Sequence, residues 1–173
     1  MERVVLEAGP YTLRPPEPPD VSWIYDACQD PDIQRWTRVP RPYAAADAVS
    51  FLNSATKGWA DGTHYPFLIA ATETGELLGA CGVHAAEGTG PREIGFWLAV
   101  DGRGRGVLTH ALPGLLKWCR RTIGLEEVIA FVLEGNEASE RLLRRVGFEL
   151  ITRDAMCTSP RRQDRASSWR KNL

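Results

Sequence analysis

The chain of 173 residues lacks any apolar run close to the roughly 18 residues that a membrane-spanning helix needs. Its first residues carry Glu2 and Glu7 around a short apolar stretch. Such a segment is too short and too acidic for a secretory signal peptide. We therefore expect a cytoplasmic protein that neither crosses nor binds a membrane.

Clustered metal ligands are also missing. The cysteines and histidines are widely spaced and include no CxxC pair; they are Cys28, Cys81, Cys119, Cys157, His64, His84 and His110. A zinc site needs such ligands close together. We therefore expect no metal, and thiols that are free and buried.

Net charge is low, at −1, which gives no reason to expect nucleic-acid binding. The distribution of charge is uneven. Residues 1–100 contain 13 acids and 7 bases, whereas residues 101–173 contain 9 acids and 14 bases. This asymmetry favours an anionic ligand on the C-terminal half and a cationic one on the other, although an uneven solvated surface would give the same pattern.

Hydrophobic periodicity and turn residues predict an alternation of strands and helices. Strands are predicted at 11–14, 65–72, 77–85, 93–100, 127–133, 148–152 and 167–170. Helices are predicted after Asp20, before Gly62, over 107–122 with a kink at Pro113, and from Asn136 to Gly147. Loops are predicted at 30–43, 87–91 and 157–164. A strand meander followed by a β-α-β unit indicates an α/β (α+β) fold, with a mixed sheet and helices on both faces.

A glycine-rich turn carries the clearest chemical signal. A buried strand ends near Leu98, three glycines follow within 102–106, and a helix begins at Val107. Such a turn lets backbone N–H groups converge, and the helix N-terminus adds its unpaired N–H groups and positive dipole end. That combination binds phosphate, although a plain glycine turn would also explain the glycines. There is no GxxxxGK[ST] motif, and GxGxxG lacks its third glycine.

The sequence Arg103-Gly104-Arg105-Gly106-Val107-Leu108 resembles the Q/R-x-x-G-x-G/A pyrophosphate loop of the GNAT N-acetyltransferases. Residues 93–98 resemble the strand before that loop. Residues 136–148 resemble the N-x-x-S…GF segment of the RimJ/RimL branch, which acetylates protein N-termini. Leu13-Arg14-Pro15 and residues 74–79 fit the same branch, so the resemblance covers about residues 11–155.

The resemblance implies the GNAT fold, a mixed and mostly antiparallel sheet with a splayed central strand pair. Residues 1–173 would form a single acetyltransferase domain, with acceptor-side helices at about 20–60 and an acetyl-CoA-binding core at about 93–148. Dimers are common in this fold, and the sequence leaves open whether this chain forms a homodimer.

The same resemblance implies direct transfer of acetyl from acetyl-CoA to a primary amine. The acceptor would be a protein N-terminus or, given the acidic N-terminal half, a cationic small molecule. Glu93 is the expected general base, with His84 as its rival because an imidazole titrates near neutrality. Ser139 is the expected acid toward the leaving thiolate. Each has a plain alternative, as a strand-end carboxylate, a packed imidazole and a polar residue in a first helical turn.

The resemblance also assigns binding residues. A backbone N–H near Leu98, where the strand leaves its neighbour, is expected to stabilise the thioester oxygen. The expected acetyl-CoA contacts are Leu98, Ala99, Val100, Arg103, Gly104, Arg105, Gly106, Val107, Leu108, Asn136 and Arg141, with Arg144 and Arg145 as further candidates near the 3′-phosphate. The expected acceptor contacts are Trp36, Tyr43 and Trp59.

Four positions depart from the family pattern. Leu108 replaces a small residue, Pro113 interrupts a continuous helix, Leu143 replaces a proton-donating tyrosine, and Arg144 replaces an acid. These departures leave open an alternative function, a non-catalytic acyl-CoA-binding regulatory domain.

Overall fold

An eight-stranded sheet forms the centre of the computed structural model, which describes residues 2–85, 91–159 and 162–173. The strands are β1 Leu6–Ala8, β2 Tyr11–Arg14, β3 His64–Ala71, β4 Leu77–His84, β5 Arg92–Leu98, β6 Glu127–Leu133, β7 Glu149–Ser159 and β8 Arg162–Asn172. The helices are α1 Val21–Ala27, α2 Pro31–Trp36, α3 Ala45–Asp61, α4 Val107–Thr122 and α5 Glu137–Arg145. The strand order β1-β2-β3-β4-β5-β6-β8-β7 is antiparallel except between β5 and β6, which confirms the mixed, mostly antiparallel sheet.

The parallel pair β5–β6 is joined only at one end. Arg92 pairs with Val128 and Glu93 pairs with Ile129, and these are the pairs between β5 and β6 in the described part of the chain. Strand β5 stays in register with β4 as far as Leu98, and β6 stays paired with β8 along its whole length. The sheet therefore opens between β5 and β6, which confirms the predicted splayed pair.

Helices cover both faces of the sheet, because neighbouring residues of a strand point to opposite sides. Phe67 of β3 packs in a cluster with α4 residues such as Leu112 and Leu115. The next residue, Leu68, packs with Ile24 of α1 and other buried residues of the N-terminal helices. The prediction of helices on both faces is confirmed.

The segment 30–43, predicted to be a loop, contains helix α2. The Asp30 side chain caps this helix by accepting hydrogen bonds from the N–H groups of Asp32 and Ile33. Pro31 occupies the first turn, where its missing N–H costs nothing. The prolines that suggested a loop therefore begin the helix at Pro31 and follow it at Pro40 and Pro42.

Two other predictions fell short. Strand β1 was missed, and strands β7 and β8 extend to Ser159 and from Arg162, where a polar loop was predicted. The sequence over 157–164 is mostly polar, so the apolar signal for strands is weak there. The predicted helix over 107–122 is confirmed, because α4 runs from Val107 to Thr122 and includes Pro113. The predicted connection at 87–91 lies outside the described residues except for Pro91. Among the described residues, no helix combines the length and apolarity needed to cross a bilayer.

Candidate active site

Three adjoining hollows follow the opening between β5 and β6. A groove of about 400 Å³ lies between β5, the 103–106 turn and α5. A narrow gap of about 100 Å³ lies between the splayed strands. A cavity of about 620 Å³ lies beyond them, between β4, β5, α3 and the segment after α2. Thr37 and Phe96 line all three, so the groove and the cavity meet at this point.

The glycine turn at the end of the groove presents backbone N–H groups. Gly104 and Gly106 have φ of 73° and 71°, a left-handed conformation that other residues adopt at a cost. Within the described residues, the N–H groups of Gly104, Arg105 and Gly106 make no backbone hydrogen bond. Helix α4 begins directly after this turn, so its first N–H groups add to the set. The turn can hold an anion such as phosphate.

The two arginines of this turn are held by carboxylates. Arg103 Nη2 lies 2.7 Å from Asp30 Oδ1, and Nη1 lies 3.5 Å from Asp32 Oδ2. Arg105 Nη1 lies 3.2 Å from Glu76 Oε2. These pairings fix both guanidiniums beside the turn. The Arg103 guanidinium also holds the pKa of Asp30 below its usual range, against the opposing effect of burial.

Glu93 lies at the closed end of the gap, where β5 leaves β6. Its side chain is 8% exposed and forms an ion pair with Arg38. The other carboxylate oxygen lies 3.5 Å from His84 Nε2, on the neighbouring strand β4. Arg38 Nη2 is also 3.5 Å from His84 Nε2. The structure therefore brings together the two candidate bases, with an arginine that the sequence did not single out.

Burial is the main cause that lowers the pKa of His84 to about 4, and the neighbouring Arg38, His64 and Arg92 contribute to the same shift. Glu93 would favour the imidazolium, but its charge is already offset by Arg38. His84 is thus neutral near pH 7 and can accept a hydrogen bond or a proton.

The free energy of unfolding should fall as pH drops from about 6.5 toward 4. In this window the unfolded chain binds a proton at His84 and the folded chain does not, so lowering the pH favours unfolding. We expect a loss of about 1–2 kcal/mol from this residue, reduced from the full linkage value because the side chain is 36% exposed. Urea titrations at pH 7 and 4.5 measure it. The His84→Asn variant should lose less stability over this interval, and an equal loss would assign the effect to other groups.

Asn136 and Ser139 line the opposite wall of the gap, at the start of α5. The Asn136 side-chain oxygen accepts the Ser139 N–H at 3.2 Å, which confirms the predicted helix cap. Both residues line the gap and the groove. Ser139 therefore borders the same gap as Glu93.

Other predicted contacts divide into two groups. The groove lining includes the predicted residues Leu98, Arg103, Gly104, Gly106, Val107, Leu108 and Asn136. The predicted residues outside the lining of the groove are Ala99, Val100, Arg105 and Arg141. Ala99 N–H instead donates to Leu78 C=O, and Arg141 pairs with Glu137 on the exposed face of α5.

The three predicted acceptor-site aromatics also separate. Tyr43 lines the large cavity, whereas Trp36 lines the gap and the groove. Trp59 is 1% exposed and its indole N–H donates to Pro66 C=O, so it is a core residue and its expected contact was wrong. Leu143 is also fully buried, so a hydrocarbon side chain occupies that position in the core.

Sequence reasoning missed several residues that line these hollows: Thr37, Arg38, Phe96, Trp97, Thr109 and Leu142. Phe96 and Trp97 were detectable, because they sit on the strand before the turn. Arg38 gave no signal, since a single arginine beside prolines is typical of a surface loop. Within the described residues, no group of three His, Cys, Asp or Glu side chains could hold a metal ion.

The fold and the site together define an acyltransferase, with an anion-binding turn that leads along an opened sheet to a buried carboxylate. The family model Acetyltransferase (GNAT) domain matches residues 11–149, and the chain belongs to this family.

Three known proteins illustrate the similarity. The chain is 24% identical to the uncharacterized N-acetyltransferase YoaA of Bacillus subtilis over 146 residues, 84% of this chain and 82% of that protein. It is 36% identical to the L-methionine sulfoximine/L-methionine sulfone acetyltransferase of Pseudomonas aeruginosa over 90 residues, 50% of this chain and 52% of the other. RimL, a ribosomal α-N-protein acetyltransferase solved in complex with coenzyme A, shares the fold at a TM-score of 0.83 and 16% identity, with 98% of each chain covered.

Proposed function

We propose that this protein transfers acetyl from acetyl-CoA directly to a primary amine. The observation that carries the proposal is continuity: the anion-binding turn, the opened strand pair and the buried Glu93 border one connected set of hollows. Each part alone has plainer explanations, but their order along the opening matches the order of groups along the cofactor, from pyrophosphate to thioester.

The residues present suit acetyl-CoA. The N–H groups of Gly104 and Gly106, with the N-terminus of α4, suit the pyrophosphate. The amide groups of pantetheine can form hydrogen bonds with the backbone of β5. Among the described residues, this strand has no strand partner beyond Glu93 on the side of the gap. The side-chain amide of Asn136 faces the same gap. When bound, acetyl-CoA supplies the activated acetyl group as a thioester.

Glu93 is the proposed general base. The amine must lose a proton before its lone pair can form the new C–N bond, and Glu93 would take that proton directly or through water. His84 would hold the carboxylate in place and remains the rival base.

Ser139 is the proposed acid, which gives a proton to the sulfur as the C–S bond breaks. A backbone N–H of β5 near Leu98 would stabilise the oxygen that gains charge. Because Ala99 N–H is already bonded to Leu78 C=O, the donor must lie before Ala99 on the strand.

The large cavity beyond Arg38 is the proposed acceptor site. The names of two similar proteins, an amino-acid-derivative acetyltransferase and a ribosomal-protein acetyltransferase, indicate that both small molecules and protein N-termini are reasonable acceptors. Asp47 is the sole carboxylate in the described lining of this cavity, and it caps α3. That lining adds little support for a highly cationic acceptor.

The test is release of free thiol from acetyl-CoA in the presence of separate amines: amino acids, amino-acid amides, basic peptides, polyamines and aminoglycosides. We expect thiol release with one class of amine. The acceptor should gain about 42 Da, because one acetyl group replaces a hydrogen atom. Binding of acetyl-CoA by calorimetry without release on any amine would favour the non-catalytic binding domain. No binding would refute both.

A further inference from the structure

Arg38 stands at the border between the gap and the large cavity, and lines both. Its side chain is 37% exposed. Within the described residues, its contacts with Glu93 and His84 both use Nη2. A guanidinium has five N–H donors in a planar fork, so the Nε and Nη1 donors remain for a ligand in the cavity.

The ion pair Arg38–Glu93 offers a positive and a negative group side by side. An α-amino acid carries the complementary charges close together, with one carbon atom between amine and carboxylate. If its amine approaches Glu93, its carboxylate lies within reach of the free edge of Arg38. Bidentate pairing of an arginine with a carboxylate is among the stronger hydrogen-bonded arrangements in proteins.

Apart from Asp47, whose carboxylate caps α3, the rest of the cavity suits an uncharged side chain. Most of its lining is apolar or aromatic, including Tyr43, Phe51, Val83, Phe96 and Trp97. Its two imidazoles, His64 and His84, both have lowered pKa values because of burial, so they add no charge near pH 7.

We propose that the acceptor is a free α-amino acid with an uncharged side chain, and that Arg38 selects it by binding its carboxylate. This inference rests on the proposed acetyl transfer and names its substrate class. It separates this protein from an enzyme for protein N-termini, because a peptide N-terminus has an amide where the free amino acid has a carboxylate.

The experiment compares matched acceptors that differ only at that group: leucine, methionine and phenylalanine against their amides. Wild-type protein should favour at least one acid over its amide by about 10- to 100-fold in kcat/KM, as expected for a hydrogen-bonded charge pair. The Arg38→Gln variant should bring that ratio close to 1. Because the ratio compares two acceptors on the same variant, any general damage from unpairing Glu93 cancels.

Arg41→Gln is the control, since it removes a charge from the same segment at a residue outside the cavity lining. It should keep the wild-type ratio. Wild-type preference for the amides would overturn the inference and leave acetyl transfer standing. A preference for the acids that survives in Arg38→Gln would also overturn it, by showing that Arg38 serves Glu93 alone. No transfer to any amine of the wider panel would refute the proposed function itself.

Discussion

Replacement of Glu93 by glutamine should lower kcat/KM for acetyl transfer by about 100- to 1,000-fold near pH 7, the range expected for loss of a general base. Glutamine keeps the size of the side chain but cannot take a proton. The deficit should narrow as pH rises toward the pKa of the acceptor amine, because a larger fraction of the amine is then neutral without help. The measurement is a pH profile of kcat/KM from about pH 6 to 10, which spans the ionisation of an ordinary α-amino group.

Several controls make this result specific to proton transfer. Glu93→Gln leaves Arg38 without its carboxylate partner, so binding of acetyl-CoA and thermal stability must be measured on the same protein. Glu73→Gln, in the exposed turn before β4, removes an equal charge at the opposite end of that strand from His84, the residue that pairs with Glu93, and should change nothing. Undiminished turnover of Glu93→Gln at every pH would remove Glu93 from the mechanism.

The same pH series decides between the two candidate bases. If Glu93 is the base and His84 positions it, His84→Gln should lose far less activity than Glu93→Gln. A larger loss in His84→Gln would assign proton transfer to the imidazole. The lowered pKa of His84 leaves its imidazole neutral near pH 7 and able to accept a proton, so the two variants, rather than this pKa, decide between the bases.

The strand, glycine turn and helix that border the groove were largely predictable from the sequence. The strand before the turn, the glycine spacing and the helix after it are local features, each encoded within residues 93–122. Asn136 was predictable as a cap for a similar reason, since its bond to Ser139 N–H spans three residues. Local hydrogen bonding and steric freedom at glycine account for this success.

The surroundings of the large cavity could not be predicted in the same way. Arg38 is held at the gap by its contact with Glu93, which lies 55 positions further along the chain. No periodicity in the sequence links these two residues. The helix before it, α2, is six residues long and begins at a proline, so its sequence resembles that of a turn. Arg103 shows the same limit, because its carboxylate partners Asp30 and Asp32 belong to that unpredicted helix.

The second large effect is expected at the glycine turn. The double variant Gly104→Ala/Gly106→Ala should weaken binding of coenzyme A by about 100-fold. Both positions have φ near +70°, and each alanine held there costs about 1–2 kcal/mol. The space around an added Cβ is open at both, so backbone conformation rather than collision causes the effect. The turn would relax to negative φ, and its N–H groups would no longer converge on the pyrophosphate.

Gly124→Ala provides the matched control for this variant. Gly124 has φ of 69° and equally open surroundings, but it follows the far end of α4, roughly 24 Å from the turn for a helix of 16 residues. It should lower stability by a similar amount per residue and leave binding unchanged. Calorimetry with coenzyme A and with pantetheine separates the contributions further, because pantetheine lacks the pyrophosphate. If the turn binds that group, the double variant loses affinity for coenzyme A alone; equal losses for both ligands would mean that the substitutions disturb the strand gap instead.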